Sequence, residues 1–99
     1  MEEKKKNLKL EIHLDEDLAQ GAYVNLAMVN HNETEFVVDF IFVQPQVAKG
    51  KVRSRVILST QHAKRFVAAL QENIDNYEKN VGAIVLASQQ KDETLGHYH

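Results

Sequence analysis

Five histidines are the residues of this sequence that most directly suggest chemistry, because imidazole binds metal ions and exchanges protons near neutral pH. They are His13, His31, His62, His97 and His99. The first three fall on different predicted elements with no second ligand three or four residues away, and the chain has no cysteine to assist them. The last two lie in a polar C-terminal segment. We therefore predict no metal site and no cofactor.

A catalytic triad can be assembled on paper from Ser59, His62 and Asp39. Such a triad needs a serine presented on a sharp, glycine-rich turn, and no such turn precedes Ser59. Ser59 is better explained as the N-cap of a helix, and Asp39 as the partner of Arg55. The four glycines are isolated, so no phosphate-binding loop is present either. The sequence predicts that the chain is not an enzyme.

A row of four basic residues is the strongest candidate for ligand binding. The row consists of Lys49, Lys51, Arg53 and Arg55, which are predicted to project from one face of an edge strand. Tyr23 is predicted on the same face. Cations that follow a phosphate backbone, next to an aromatic ring on which bases stack, suit single-stranded nucleic acid. The other interpretation is that the edge strand carries charges only to prevent aggregation.

These side chains must be positioned by a framework in which the clearest element is a helix from Ser59 to Gly82. The Ser59 hydroxyl is expected to accept a hydrogen bond from the backbone N–H of Gln61 or His62, and Gly82 to end the helix in a left-handed conformation. His62 and Asn73 border its apolar stripe, where we expect either a packed rim or a contact with a partner. The stripe spans about 100° of the helix surface and comprises Ala63, Phe66, Val67, Leu70, Ile74, Tyr77 and Val81.

Four alternating segments predict β-strands. They are Leu8–Leu14, Ala22–Val29, Glu35–Val43 and Lys51–Leu58. Short connections favour a four-stranded antiparallel meander, which together with the helix gives an α+β fold of order ββββα. The even-numbered positions are apolar in nearly every case, so we expect them on one face, beneath the helix. Centring the 44–50 turn on Val47 places Asp39 opposite Arg55.

The odd-numbered face of this sheet is expected to contact another protein. Its centre, formed by Val29, Val37, Ile41 and Val43, is too apolar to be exposed to water. A homodimer is the commonest solution for such a surface, and we predict one. A protein-interaction adaptor that uses this face is the alternative to nucleic-acid binding. The apolar segment Ala83–Ala87 could extend the helix, add a strand or dock on a partner.

Length and composition indicate one domain. The chain has 99 residues, of which 43% are hydrophobic and 26% charged, with a formal net charge of −2, as in a soluble globular protein. The predicted domain covers 8–87, between a flexible charged arm at 1–7 and a flexible polar tail at 88–99. No apolar segment is long enough to span a membrane and no signal peptide is visible. With cysteine also absent, we expect a cytoplasmic protein without a membrane partner.

A set of spaced residues in this chain also matches a known pattern. Its parts are Gly21-x-Tyr23-x-Asn25, His31, Glu35-Phe36, Asp39-Phe40, Pro45, Ser54-Arg55-Val56, Leu58-Ser59, His62-Ala63-Lys64, Leu70, Asn73 and Tyr77-Glu78. The pattern resembles a small prokaryotic family catalogued as domain of unknown function 3467. Thr60 stands where a proline often follows the cap serine, and either residue suits the first turn of a helix. The resemblance extends from about Gly21 to Gly82 and implies no particular activity.

Overall fold

Three strands form one antiparallel sheet in the computed structural model, which describes residues 9–87. In sheet order they are β1 (Leu26–His31), β2 (Glu35–Gln44) and β3 (Lys49–Ser59). A short helix, α1 (Glu16–Ala19), precedes them, and a long helix, α2 (Thr60–Asn80), follows. The predicted α+β fold with a C-terminal helix is confirmed. The predicted arm, 1–7, and tail, 88–99, lie outside the described residues.

The predicted first strand is not part of this sheet. Its described portion, 9–14, lies outside every helix and strand, and Leu10, Ile12 and Leu14 are 83%, 81% and 69% exposed. The connection to β1 is not a tight hairpin, because it contains α1 and Gly21 with φ of +78°. Within residues 9–87 the sheet therefore has three strands instead of the four that the alternation predicts.

The register between β1 and β2 also differs from the prediction. Val29 pairs with Val38, so odd-numbered residues of β1 share a face with even-numbered residues of β2. The predicted pairing of even with even positions is wrong for these two strands. From Phe36 to Val43, β2 is apolar on both faces except at Asp39. A shift of one residue would therefore still place apolar side chains on both faces of the sheet. For this reason the alternation of apolar residues does not determine the register.

The pairing of β2 with β3 has the predicted register from Glu35 to Phe40 and a different register from Ile41 onwards. Asp39 pairs with Arg55, as the centred turn requires. Further along, the register shifts by one residue, and Arg53 is left without a partner in β2 as a β-bulge. Beyond the bulge Lys51 pairs with Phe42. Because Asp39 and Phe42 lie on opposite faces of β2, Arg55 and Lys51 also lie on opposite faces.

Helix α2 begins and ends as predicted. The Ser59 hydroxyl accepts a hydrogen bond from the His62 N–H at 3.1 Å. At the other end Gly82 has φ of +152°, a conformation that favours glycine. Residues 83–87 form neither helix nor strand, so the first two alternatives for that segment are excluded.

Helix α2 does not lie closely across the sheet. It begins directly after β3 and contacts both β3 and β2, yet Phe66 and Leu70 of its apolar stripe remain 42% and 48% exposed. Among the hydrophobic residues described, only Ile41 is buried, at 6% exposure. The apolar sides of the helix and the sheet thus leave much of their hydrophobic surface in contact with water.

Candidate functional site

An open groove of about 780 Å³ separates α2 from the sheet. We call the side of the sheet that lines it the groove face. Eleven of its fourteen lining residues are apolar, and the three polar residues all belong to the helix. The sheet contributes Ala27, Val29, Phe36, Val38, Phe40 and Leu58, and the helix contributes Thr60, Ala63, Lys64, Phe66, Val67, Ala68, Leu70 and Gln71. Such a surface can bind apolar side chains but offers few groups that could orient a polar ligand.

The opposite face of the sheet is centred on an ion pair between Asp39 and Arg55. Arg55 Nε donates to Asp39 Oδ1 at 2.7 Å, and Arg55 Nη2 donates to Asp39 Oδ2 at 3.0 Å, which is bidentate geometry. These hydrogen bonds lower the pKa of Asp39, against the opposing effect of its burial, and raise the pKa of Arg55. Arg55 is thus already engaged by a carboxylate within the chain.

The predicted row of nucleic-acid contacts is divided between the two faces. Lys49 and Lys51 follow the register of β2 beyond the bulge and lie on the groove face. Arg55 lies on the opposite face, and Arg53 occupies the bulge between them. The prediction of one continuous basic row is therefore wrong, because the bulge shifts the alternation of β3 relative to β2.

Tyr23 lies with the two lysines and away from Arg55. Its ring is 72% exposed and meets the ring of Phe42 edge to face, with centroids 6.2 Å apart. Phe42 is in turn the register partner of Lys51, and Lys49 lies two residues before Lys51 in β3. We call this group, Tyr23, Phe42, Lys49 and Lys51, the aromatic-basic corner. Among residues 9–87, neither lysine has an acidic partner within 4.0 Å.

Asn25 anchors this corner, a role that the sequence did not predict. Its backbone N–H donates to the Ile41 carbonyl at 3.0 Å. Its side-chain amide bonds to both backbone polar groups of Val43, accepting from the N–H and donating to the carbonyl oxygen. The resemblance pattern includes Asn25, but neither that pattern nor the apolar neighbours of this residue identify Val43 as its partner.

The predicted interface residues are divided in the same way. Val29 lines the groove, whereas Val37, Ile41 and Val43 lie on the opposite face. Ile41 is already covered within the chain and has little surface left for a partner. Exposed apolar side chains remain on both faces, since Met28, Val52 and Ile57 on the opposite face are about half-exposed. The groove face differs in that the apolar stripe of α2 lies across from it.

Other predicted site residues serve local structure. The Asn73 side chain donates to the Ala69 carbonyl at 3.0 Å within α2, and neither His62 nor Asn73 lines the groove. Ser59 caps the helix and Asp39 binds arginine, so the hypothetical triad is not assembled. Within residues 9–87 no three metal-ligating side chains converge.

A family described as "Protein of unknown function (DUF3467)" matches residues 1–86. The chain belongs to this family. No curated protein and no solved structure gave a match. Several residues on which the sequence resemblance depends have structural roles in this DUF3467 chain: Gly21 adopts positive φ, Asn25 holds Val43, and Ser59 caps α2. These residues maintain the framework around the groove and the aromatic-basic corner.

Proposed function

We propose that this chain is a non-enzymatic binding module that functions as a homodimer, in which a second copy fills the groove between α2 and the sheet. The observation that supports the proposal is the groove itself. Two apolar walls face each other at a distance that leaves both half-exposed, and a single chain supplies nothing between them in the described residues. Neither described helix is long and apolar enough to cross a bilayer.

A second copy explains the exposed surface better than a small ligand does. The groove volume falls within the range of small-molecule sites, about 300–1,000 Å³. However, exposed apolar side chains continue beyond it, at Tyr77 on the helix and at Val81 and Ile84 after it. A small ligand would leave these residues in water. Two copies related by twofold symmetry would bring the same apolar surfaces of both chains together.

Burial of the exposed apolar side chains favours association and acts against the loss of translational and rotational freedom on binding. Fully burying a side chain such as leucine or phenylalanine contributes about 1.5–3 kcal/mol. Val29, Phe66 and Leu70 are each about half-exposed, so burying them in both copies contributes roughly 5 kcal/mol. The remaining lining residues add to this sum, and a micromolar complex requires about 8 kcal/mol.

Sedimentation equilibrium on the full chain at roughly 50 μM tests the proposal, a concentration chosen to populate a micromolar dimer. We expect twice the 11.3 kDa mass of one chain. Leu70→Glu should yield a monomer, because it places a carboxylate in the groove. Asn76→Glu adds the same charge to α2 outside the groove lining and should remain dimeric. A monomeric wild-type chain, or a folded Leu70→Glu variant that stays dimeric, contradicts the proposal.

The non-enzymatic part of the proposal is supported by the chemistry of the groove. Active-site clefts commonly hold titratable groups with displaced pKa values. Here no carboxylate and no imidazole line the groove. Within residues 9–87, displaced pKa values belong to Asp39 and Arg55, and each is explained by the other in an ion pair on the opposite face.

The aromatic-basic corner supports single-stranded nucleic acid as the ligand of this module. An exposed ring and two lysines, which have no ion-pair partner among residues 9–87, provide stacking and phosphate contacts in one place. This corner replaces the row predicted from the sequence, since Arg55 is engaged elsewhere. The alternative, a protein adaptor centred on Val37, Ile41 and Val43, is less favoured because Ile41 is covered.

Fluorescence anisotropy with a labelled oligonucleotide, at about 50 and 200 mM salt, tests this ligand. Lys49→Ala/Lys51→Ala should weaken binding strongly and flatten the salt dependence of what remains, and Tyr23→Ala should weaken binding about tenfold. Arg65→Ala/Lys79→Ala removes the same charge from α2 and serves as the matched control. Absence of binding at the lower salt contradicts nucleic-acid binding. Equal loss in both double variants contradicts the aromatic-basic corner as its site. Neither result affects the dimer.

A further inference from the structure

We infer that residues 9–14 of one copy pair with the outer edge of β1 in the second copy, so that each chain completes the sheet of the other. This inference rests on the homodimer proposed above and names the segments that hold it together. The segment that extends the groove face of one copy is then residues 9–14 of the other copy.

Both halves of the inferred contact lie unpaired in the described chain. Leu10, Ile12 and Leu14 alternate with Lys9, Glu11 and His13, which is the pattern of a strand with one apolar side. Those three apolar side chains are more than two-thirds exposed. On the other half, β1 is bonded to β2 along one edge, and no strand of residues 9–87 occupies its outer edge.

Length and charge favour β1 over β3 as the receiving edge. The segment 9–14 and β1 are each six residues long. No residue of β1 is lysine, arginine, aspartate or glutamate, whereas the outer strand β3 carries Lys49, Lys51, Arg53 and Arg55. Charged residues discourage pairing at the edge of a sheet, and an uncharged edge invites it.

The apolar side of the segment matches the groove face. Ala27 and Val29 of β1 line the groove, so a strand added beside them extends its floor. Placing Leu10, Ile12 and Leu14 on that side brings them towards the exposed stripe of α2, while Lys9, Glu11 and His13 face away. The apolar residues of the segment thus face the groove and its polar residues face the other side of the sheet, as the alternation of side chains along a strand requires.

Exchange between copies also accounts for the fourth strand that the sequence predicts. The alternation of 8–14 indicates a strand, but its described part, 9–14, is not paired with β1 of the same chain. Its connection to β1 includes α1 and Gly21, and the start of β1 is tied to β2 through Asn25. Exchange of an identical element between protomers satisfies the same pattern across two chains.

Disulfide trapping tests the exchange directly, because the natural chain contains no cysteine. Chains with Ile12→Cys are refolded together with longer, tagged chains that carry Ala27→Cys or Val29→Cys, and the mixture is oxidised. We expect a covalent product of one short and one tagged chain in at least one pairing. Glu11→Cys, on the opposite side of the segment, is the matched control and should give at least fivefold less product with the same partners.

The outcome separates this inference from the dimer itself. A wild-type dimer without trapping above the Glu11→Cys level overturns the exchange and leaves the homodimer intact. A disulfide formed within one chain that carries both Ile12→Cys and Val29→Cys, in preference to the mixed product, also overturns it. A wild-type monomer in sedimentation overturns the homodimer and the exchange together. A second measurement supports the exchange if Ile12→Glu/Leu14→Glu increases hydrogen exchange at the β1 amides, because the outer edge of β1 would lose its pairing strand.

Discussion

The side-chain amide of Asn25 bonds to both backbone polar groups of Val43, accepting from its N–H at 2.8 Å and donating to its carbonyl at 3.1 Å. The residue that precedes β1 is thereby joined to β2. The amide side chain supplies a donor and an acceptor, as the backbone of a paired residue would. The ladder between β1 and β2 can thus end here without leaving the Val43 groups unpaired.

Replacing Asn25 should therefore weaken the fold. Asn25→Ala removes two hydrogen bonds and should lower the free energy of unfolding by about 1–2 kcal/mol, measured by urea denaturation at fixed protein concentration. Asn25→Asp keeps the acceptor and loses the donor, so an intermediate loss is expected. Asn30→Ala, at an exposed position of β1 without a side-chain hydrogen bond in residues 9–87, is the control. Equal stability of the two alanine variants contradicts the proposed role of Asn25.

The ion pair between Asp39 and Arg55 predicts a specific response to acid. Hydrogen bonding to Arg55 lowers the pKa of Asp39 in the folded chain, while the unfolded value is about 3.9. The stabilisation is therefore complete above the unfolded pKa and is lost as pH falls through the lower, folded pKa. Wild-type protein should lose stability below about pH 4 more steeply than Asp39→Asn does. Urea denaturation across this pH range measures the difference.

A control variant shows whether the acid response belongs to this pair. Asp17→Asn changes an exposed carboxylate in α1 and should keep the wild-type dependence on pH. If Asp39→Asn keeps it as well, the acid sensitivity of the chain originates elsewhere. Protein concentration must be held constant throughout, because association also changes apparent stability.

The ends of helix α2 and the pairing of Asp39 with Arg55 in the preceding hairpin could be predicted from the sequence, because both depend on local signals. Ser59 and Gly82 mark the two ends of the helix by side-chain and backbone preferences that do not depend on the rest of the fold. The pairing of Asp39 with Arg55 follows from the length of one turn. In both cases the interacting residues are close in sequence, or joined by a short connection.

The register of β1, the bulge in β3 and the position of the first segment could not be predicted. In each case the sequence pattern is compatible with more than one arrangement of the strands. The segment Phe36–Val43 is apolar on both faces, so alternation does not choose between neighbouring registers with β1. The bulge at Arg53 shifts the lysines away from Arg55 with no glycine at that position to indicate it. The alternation of Leu8–Leu14 specifies an apolar side but not the chain against which that side packs.

The turn between β2 and β3 contains a residue in an unfavourable conformation. Ala48 has φ of +50°, where its Cβ crowds the backbone, and its N–H donates to the Gln44 carbonyl at 3.0 Å. Ala48→Gly relieves this crowding and should raise the free energy of unfolding by up to about 1 kcal/mol. The same change at Ala69, exposed in α2, should lower it by about 1 kcal/mol. Thermal unfolding of both variants should give shifts of opposite sign, and a decrease in both contradicts the role of the turn.

The helix cap at Ser59 joins the two walls of the groove, since β3 ends at Ser59 and α2 begins at Thr60. Ser59→Ala leaves the His62 N–H without its acceptor and should lower the free energy of unfolding by about 1 kcal/mol. Ser59→Asp restores an acceptor at the N-cap and should retain most of the stability. Ser54→Ala, on exposed β3, controls for loss of a hydroxyl. If both substitutions at Ser59 are equally destabilising, side-chain size at the junction matters more than the hydrogen bond. If Ser59→Ala alone also weakens dimerisation, the cap fixes the angle at which α2 leaves the sheet, and therefore the shape of the groove that a second copy must fill.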